Sequence, residues 1–158
     1  MATKDVKRQL PRVTGLVLLL LVLIDVIFTI LFFYFASEVD SFVKILDKAS
    51  EAVAESRSFV VTLCTVSAFL CIAKAVGSIF VYLRRKEGFW LYTLATLIFI
   101  IMFIVLGIKY SVFSFALKPI IALLIMNAVL FGSLFLRSNG ASVWSQLKMI
   151  QWKKKNEK

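Results

Sequence analysis

Residues 71–92 read CIAKAVGSIFVYLRRKEGFWLY, an apolar run that contains one lysine and ends in an Arg-Arg-Lys turn. An apolar segment that ends in a short basic turn is typical of a membrane helix that leaves the bilayer on its cytoplasmic side. A second apolar segment begins soon after the turn. The stretch therefore predicts two membrane helices joined by a cytoplasmic turn, and it raises the question of why Lys74 lies inside the first of them.

The remainder of the chain has the composition of a membrane protein. It has 158 residues, of which 61% are hydrophobic, whereas an average soluble domain is about 45–50% apolar. Four apolar runs, at residues 13–35, 59–83, 89–108 and 119–136, approach the roughly 20 residues that cross about 30 Å of hydrocarbon. No Gly/Ser/Pro-rich linker divides them, so we expect one all-α membrane domain over residues 1–158, a four-helix transmembrane bundle.

The formal net charge of +10 is concentrated beside these spans. Basic clusters lie before the first span, between the second and the third, and after the fourth: Lys4, Lys7, Arg8 and Arg12; Arg84, Arg85 and Lys86; Arg137, Lys148, Lys153, Lys154, Lys155 and Lys158. All three clusters fall on one side of a bundle with an even number of spans. Because Lys and Arg accumulate in cytoplasmic loops, both termini are predicted to be cytoplasmic. The same placement disfavours a nucleic-acid surface.

Two segments outside the spans have amphipathic patterns. In the first loop Val39, Phe42, Leu46, Ala49 and Val53 recur at helical spacing, which predicts an external amphipathic helix over residues 38–57. The cytoplasmic tail, residues 137–158, mixes apolar and polar residues before three lysines, which predicts an interfacial segment with affinity for anionic lipid. The residues predicted at the lipid interface are Trp90, Trp144, Trp152, Lys153, Lys154 and Lys155.

Three further predictions are local. Tyr92 is placed with Trp90 in an aromatic belt at the inner boundary of the membrane. Pro119 is expected in the first turn of the fourth helix, where a missing N–H group is tolerated. Asn139-Gly140 is expected to stop that helix.

Span two carries small or polar residues at 3,4,3,4 spacing, namely Cys64, Ser67, Cys71, Lys74 and Ser78, with Gly77 at their border. This spacing places them on one helix face. Since lipid tails provide no hydrophobic drive between helices, small residues that allow close approach hold such bundles together. We expect the face to pack against helix one, helix four or a second copy of the chain. The two cysteines are interpreted as buried small residues, because a helix separates them by about 10 Å along its axis, beyond disulfide reach.

The polar residues of the spans crowd the half of the membrane nearest the basic clusters: Asp25, Lys74, Asn127, Thr93 and Thr96. At 1.5 Å per residue, Asp25 lies about 20 Å from Arg12 and Lys74 about 15 Å from Arg84. An isolated charge at the bilayer centre costs about 2.5–3.5 kcal/mol on insertion scales. Lys74 therefore has three explanations: it extends towards the headgroups, it pairs with Asp25 as a structural contact, or the pair belongs to a proton or ion route.

The chain has no histidine and no HExxH, GxSxG, glycine-rich phosphate loop or CxxC motif. These absences disfavour an enzyme, and we predict no cofactor and no metal. The leading hypothesis is a non-enzymatic accessory, assembly or scaffold subunit that packs its helices against another membrane protein or against itself. The alternative is a small channel or transporter that uses Asp25 and Lys74.

Overall fold

The structure, a computed structural model, describes residues 11–38, 57–109, 113–138 and 141–147. Within them the chain forms α1 (Arg12–Ser37), α2 (Arg57–Tyr82), α3 (Lys86–Lys109), α4 (Phe113–Phe135), β1 (Arg137–Ser138), β2 (Ala141–Ser142) and α5 (Val143–Gln146). Helices α1 to α4 are long and apolar enough to cross a membrane. This confirms the predicted all-α architecture with four candidate spans. Most of the external helix predicted over 38–57, and the tail beyond residue 147, lie outside the described residues.

The four long helices are ordered around the bundle as they are in the chain. Helix α1 packs chiefly on α2, α2 on α3 and α3 on α4, and α4 closes the bundle with a less extensive contact to α1. Arg12, the turn after α2 and the carboxyl end of α4 lie at the same end, which we call the basic end. Near it, the Thr14 hydroxyl of α1 donates a hydrogen bond to the Ser133 carbonyl of α4 at 3.1 Å.

The connection between α2 and α3 is only three residues long and ends α2 in a Schellman motif. The Arg85 N–H donates to the Phe80 carbonyl at 2.9 Å, and the Arg84 N–H donates to the Val81 carbonyl at 2.8 Å. Arg84 adopts a positive φ of 63°, a left-handed conformation that costs a residue with a Cβ roughly 1–2 kcal/mol. The reversal brings α3 directly against α2.

Two glycines allow the backbones of α2 and α3 to touch. A Cβ at Gly77 would lie 2.8 Å from the Gly88 carbonyl oxygen and 2.9 Å from the Tyr92 nitrogen. A Cβ at Gly88 would overlap atoms of Gly77, Phe80 and Val81. Neither glycine can therefore be replaced by a larger residue unless the two helices separate.

Helix α4 begins earlier and ends slightly earlier than predicted. It starts at Phe113, so Pro119 lies inside the helix rather than in its first turn. The prediction for Pro119 is wrong because the apolar residues before it continue the helix, at the cost of one backbone hydrogen bond that proline cannot donate. The carboxyl end is Phe135, before the Asn139-Gly140 pair that was expected to stop it.

A small hairpin and α5 follow α4 at the basic end. Strands β1 and β2 are antiparallel, with Arg137 opposite Ser142 and Ser138 opposite Ala141. The Asn139-Gly140 pair between the two strands lies outside the described residues. Val143 and Leu147, 2% and 5% exposed, join the core cluster of the bundle. The start of the tail therefore packs against the bundle end.

Candidate functional site

Asp25 and Lys74 meet between α1 and α2. The Lys74 Nζ donates a hydrogen bond to Asp25 Oδ1 at 2.8 Å, and the two side chains are 2% and 0% exposed respectively. Lys74 thus points at α1 and not towards the headgroups. The second carboxylate oxygen, Asp25 Oδ2, is buried and has no hydrogen-bond partner among the described residues. Removal of either charge would leave the other buried and uncompensated, which makes the pair a strong constraint on the relative height of the two helices.

The aromatic ring of Tyr92 on α3 lies close to the ammonium group of Lys74. The Lys74 Nζ is 5.0 Å from the ring centroid, within cation–π range. The side chain is fully buried, so its predicted place in an aromatic belt is wrong. Gly88, Tyr92, Ala95 and Phe99 recur at 4,3,4 spacing and all are buried. This periodicity was visible in the sequence and would have placed Tyr92 on an inward face.

A cavity of about 100 Å³ adjoins the ion pair and is lined by all four long helices. Apart from Asp25 and Lys74 its lining is apolar, and it includes the rings of Phe28, Phe32, Phe99 and Phe103. The volume would accommodate about three molecules the size of water at roughly 30 Å³ each. On α4 it reaches Pro119 and the exposed Ala122, so it lies at the seam where α4 closes on α1.

The remaining residues of the predicted polar layer lie on α3 and α4. The Thr96 hydroxyl donates to the Tyr92 carbonyl at 2.9 Å and is satisfied within its own helix. Phe89 and Phe131 contact each other with ring centroids 6.1 Å apart. Thr93 is one turn beyond Phe89, and Asn127 is one turn before Phe131, so both lie at the same level of this antiparallel pair.

Neither Thr93 nor Asn127 makes a side-chain hydrogen bond within the part of the chain that the structure describes. The Thr93 Oγ1 atom is buried. Asn127 is half-buried, at the edge of the exposed face of α4. The structure therefore brings Asp25 and Lys74 into contact. Thr93 and Asn127 lie instead where α3 and α4 meet, away from the ion pair.

The small-residue stripe of α2 is buried along its whole length: Cys64, Ser67, Cys71, Lys74, Gly77 and Ser78. Its neighbours are α1 and α3. Cys64 belongs to a cluster with Val60, against which Phe32 and Phe35 of α1 pack, whereas Cys71 clusters with Phe99 of α3. Helix α3 was not among the expected neighbours. It occupies that position because the three-residue turn leaves it no room to lie elsewhere.

The aromatic residues predicted at the lipid interface differ in environment. Trp90 is 59% exposed on the outer face of α3. Trp144 is half-buried, with its ring centroid 5.0 Å from that of Phe89 and 5.2 Å from the Lys86 Nζ. It packs against the basic end of the bundle. Trp152, Lys153, Lys154 and Lys155 lie outside the described residues.

The buried pair holds two opposite charges, and the Tyr92 ring beside them, in fixed positions. Among residues 11–38, 57–109, 113–138 and 141–147, no three His, Cys, Asp or Glu side chains gather into a group that could hold a metal ion. The two free cysteines are both buried. Comparison with protein-family models, with curated proteins and with solved structures finds no match to this chain.

Proposed function

We propose that this protein acts non-enzymatically as an accessory, assembly or scaffold subunit that binds another membrane protein, or a second copy of itself, through helix packing. The observation that carries this proposal is Asn127, a half-buried amide on α4 with no hydrogen bond inside the described residues. An unpaired amide in hydrocarbon is costly, and Asn side chains form hydrogen bonds across membrane helices. A helix from a partner would supply the missing bond.

The shape of α4 beside Asn127 supports the same proposal. Ala128 and Gly132 are one helical turn apart, and both are exposed. A Cβ placed at Gly132 would meet nothing within 4 Å. Small residues one turn apart allow the backbone of a second helix to approach closely. The comparable stripe on α2 faces α1 and α3 and is buried from Cys64 to Gly77, so it offers no free surface to a partner helix.

Chemical crosslinking of the full-length protein in its native membrane tests this proposal. Asn127→Leu removes the amide and Gly132→Leu fills the shallow surface beside it, so each should reduce the crosslinked product severalfold. Ile101→Leu is the control, because Ile101 is 52% exposed on α3, away from this surface. Mass spectrometry of the product distinguishes a second copy from another protein. Normal crosslinking of both α4 variants, with normal melting temperatures, would exclude this face as the interface.

The orientation we propose is that the basic end faces the cytoplasm with both termini. The described residues provide positions for labelling at either end. Glu38, exposed after α1, and Arg85, exposed after α2, can each be replaced by Cys in a background without Cys64 and Cys71. A membrane-impermeant maleimide added to intact cells should label the Glu38→Cys variant only. Labelling of Arg85→Cys alone would reverse the orientation.

A second candidate function is a small channel or transporter, favoured by one observation. The cavity beside Asp25 and Lys74 adjoins a carboxylate whose second oxygen has no partner in the described part of the chain. Proton and alkali-cation fluxes should be measured in liposomes that contain the wild-type protein and the Asp25→Leu, Lys74→Met double variant. A flux supported only by the wild type would favour this candidate over the accessory role.

A further inference from the structure

A second cavity is an open groove of about 450 Å³ between α1 and α2 near the basic end. This volume is within the range of about 300–1,000 Å³ that is usual for ligand pockets. Leu18 and Ser78, 1% and 0% exposed, form its floor. Its walls are the exposed side chains of Leu16, Leu19, Ile79 and Tyr82. The groove therefore opens sideways, towards the hydrocarbon of the membrane.

The floor of this groove contains one polar group without a partner. The Ser78 Oγ atom is buried and has no hydrogen-bond partner among the described residues. Serines within helices commonly bond to a carbonyl one turn earlier, as the Ser133 hydroxyl does to the Leu130 carbonyl at 2.8 Å in α4. Ser78 makes no such bond, so its hydroxyl retains an unused donor within the floor of the groove.

Positive charge is concentrated at the end of the groove nearest the membrane surface. Arg12 is exposed and lies one turn before Gly15, on the same side of α1 as the residues that line the groove. On the other wall, Tyr82 is the last residue of α2, and Arg84 follows it in the turn. The Arg85 guanidinium lies over the Phe80 ring, on the α3 side of α2, and so faces away from the groove. An apolar groove that ends beside Arg12 and Arg84 is complementary to a molecule with an apolar chain and an anionic headgroup.

We infer that this groove binds one anionic phospholipid. An acyl chain lies over Leu18 and Ile79, the Ser78 hydroxyl turns out of the floor to donate a hydrogen bond to an ester carbonyl, and the phosphate lies between Arg12 and Arg84. Ser78 is six residues before Arg84, which places it about 9 Å deeper along the helix axis. The groove lies between α1 and α2, whereas Asn127 lies on α4, so the site does not depend on the proposed function.

The conformation of Arg84 gives independent support to this inference. Its φ of 63° is the left-handed conformation that Schellman motifs usually assign to glycine. Arginine at this position carries a backbone penalty that glycine would avoid. A residue that costs stability in the turn is consistent with a charge that is required beside the groove.

Native mass spectrometry of the full-length protein, purified in a neutral detergent, tests the site. The probes are phosphatidylglycerol and phosphatidylcholine with identical acyl chains, together with inorganic phosphate. The wild type should retain one phosphatidylglycerol per chain and prefer it to phosphatidylcholine. Loss of one arginine should weaken that binding about fivefold. Inorganic phosphate alone should neither bind nor displace the lipid, because most of the contact is with the acyl chain.

The variants form two matched pairs. Gly15→Leu should fill the groove and abolish lipid retention, because a Cβ at Gly15 would already lie 3.9 Å from the Tyr82 ring. Its control is Gly132→Leu, which should retain the lipid even where it reduces crosslinking to a partner. Arg84→Gly should lower phosphatidylglycerol binding and raise the melting temperature in detergent, because it relieves the left-handed strain. Lys118→Gln is its control, an exposed charge at the other end of the bundle.

Three results would overturn the inference. The first is full retention of phosphatidylglycerol by Gly15→Leu. The second is an equal loss of binding in Lys118→Gln and Arg84→Gly, which would mean general attraction to a basic protein. The third is displacement of the lipid by inorganic phosphate, which would mean an anion site without a chain-binding groove.

Discussion

The α2–α3 interface and the α1–α4 seam are packed in opposite ways. Between α2 and α3, Gly77 and Gly88 bring the two backbones into contact beside a three-residue turn. Between α1 and α4, Thr14 bonds to the Ser133 carbonyl near the basic end, and farther along the seam lies the cavity of about 100 Å³. The difference shows that a short connection and two glycines specify a close contact, whereas the seam between the first and last helices is filled by long side chains and retains space.

The largest effect is expected at the glycine contact. Gly88→Leu should prevent accumulation of folded protein, because the obstructing atoms include backbone, and the cost should exceed the roughly 1–3 kcal/mol that is usual for overpacking. Gly132→Leu, at a site with nothing within 4 Å, should leave the monomer folded. Membrane yield and melting temperature in detergent measure both. Equal yields from the two variants would contradict the backbone contact between α2 and α3.

The ion pair should give the next largest effect, since it connects the tight half of the bundle to α1. Lys74→Met and Asp25→Leu should each lower the free energy of unfolding by about 3–5 kcal/mol, because one charge remains buried and unpaired. The double variant should recover much of that loss. A double-mutant cycle based on denaturant unfolding checks this. Strictly additive losses would show that the two charges do not stabilise each other.

A larger side chain in the cavity should improve the packing between α1 and α4. Ala122→Leu extends an apolar side chain beside the space next to Asp25 and should raise stability by about 1 kcal/mol. Val129→Leu is the control, on the exposed face of α4 away from the cavity lining. Melting temperatures of the two variants measure the effect. A loss of stability in Ala122→Leu alone would mean that the space is needed for the arrangement around the ion pair.

The smallest effect is expected for the hydroxyl of Tyr92. Its oxygen is buried without a partner in the described residues, so Tyr92→Phe should change stability by less than about 1 kcal/mol. Tyr92→Leu removes the ring as well and should cost more, because cation–π contacts contribute about 0.5–2 kcal/mol when desolvated. Thermal unfolding distinguishes the two. Equal losses would show that the hydroxyl, and not the ring face, stabilises Lys74.

Hydrophobic run length was sufficient to predict the four helices, because the thickness of hydrocarbon sets the length of any span. Helical spacing likewise identified the inward face of α2 from Cys64 to Ser78, and the single acid of the spans identified Asp25 as the natural partner of Lys74. Run length, helical spacing and residue type are all properties of the chain itself. They do not depend on which helices become neighbours.

The errors came from assigning single residues by one nearby feature of the sequence. Tyr92 was assigned by its proximity to a basic turn, although the contact that buries it comes from Gly77 on another helix. Pro119 was interpreted as a helix boundary, although the residues before it extend α4 past the proline. At Pro119 the residues on either side outweighed the local preference of proline, and at Tyr92 the inward 4,3,4 spacing from Gly88 to Phe99 outweighed its proximity to the basic turn.

The separation of Asp25 and Lys74 in the chain has a consequence for biosynthesis. The two residues are 49 positions apart, so at about 5–20 residues per second the ribosome completes Lys74 several seconds after Asp25. During that interval α1 carries an uncompensated acid. It is also the most apolar of the four helices, with a mean hydropathy of 3.2 against 1.9–2.7 for the others. We expect the surplus of leucine, isoleucine and phenylalanine in α1 to let this helix enter the bilayer alone, before α2 arrives to neutralise the acid.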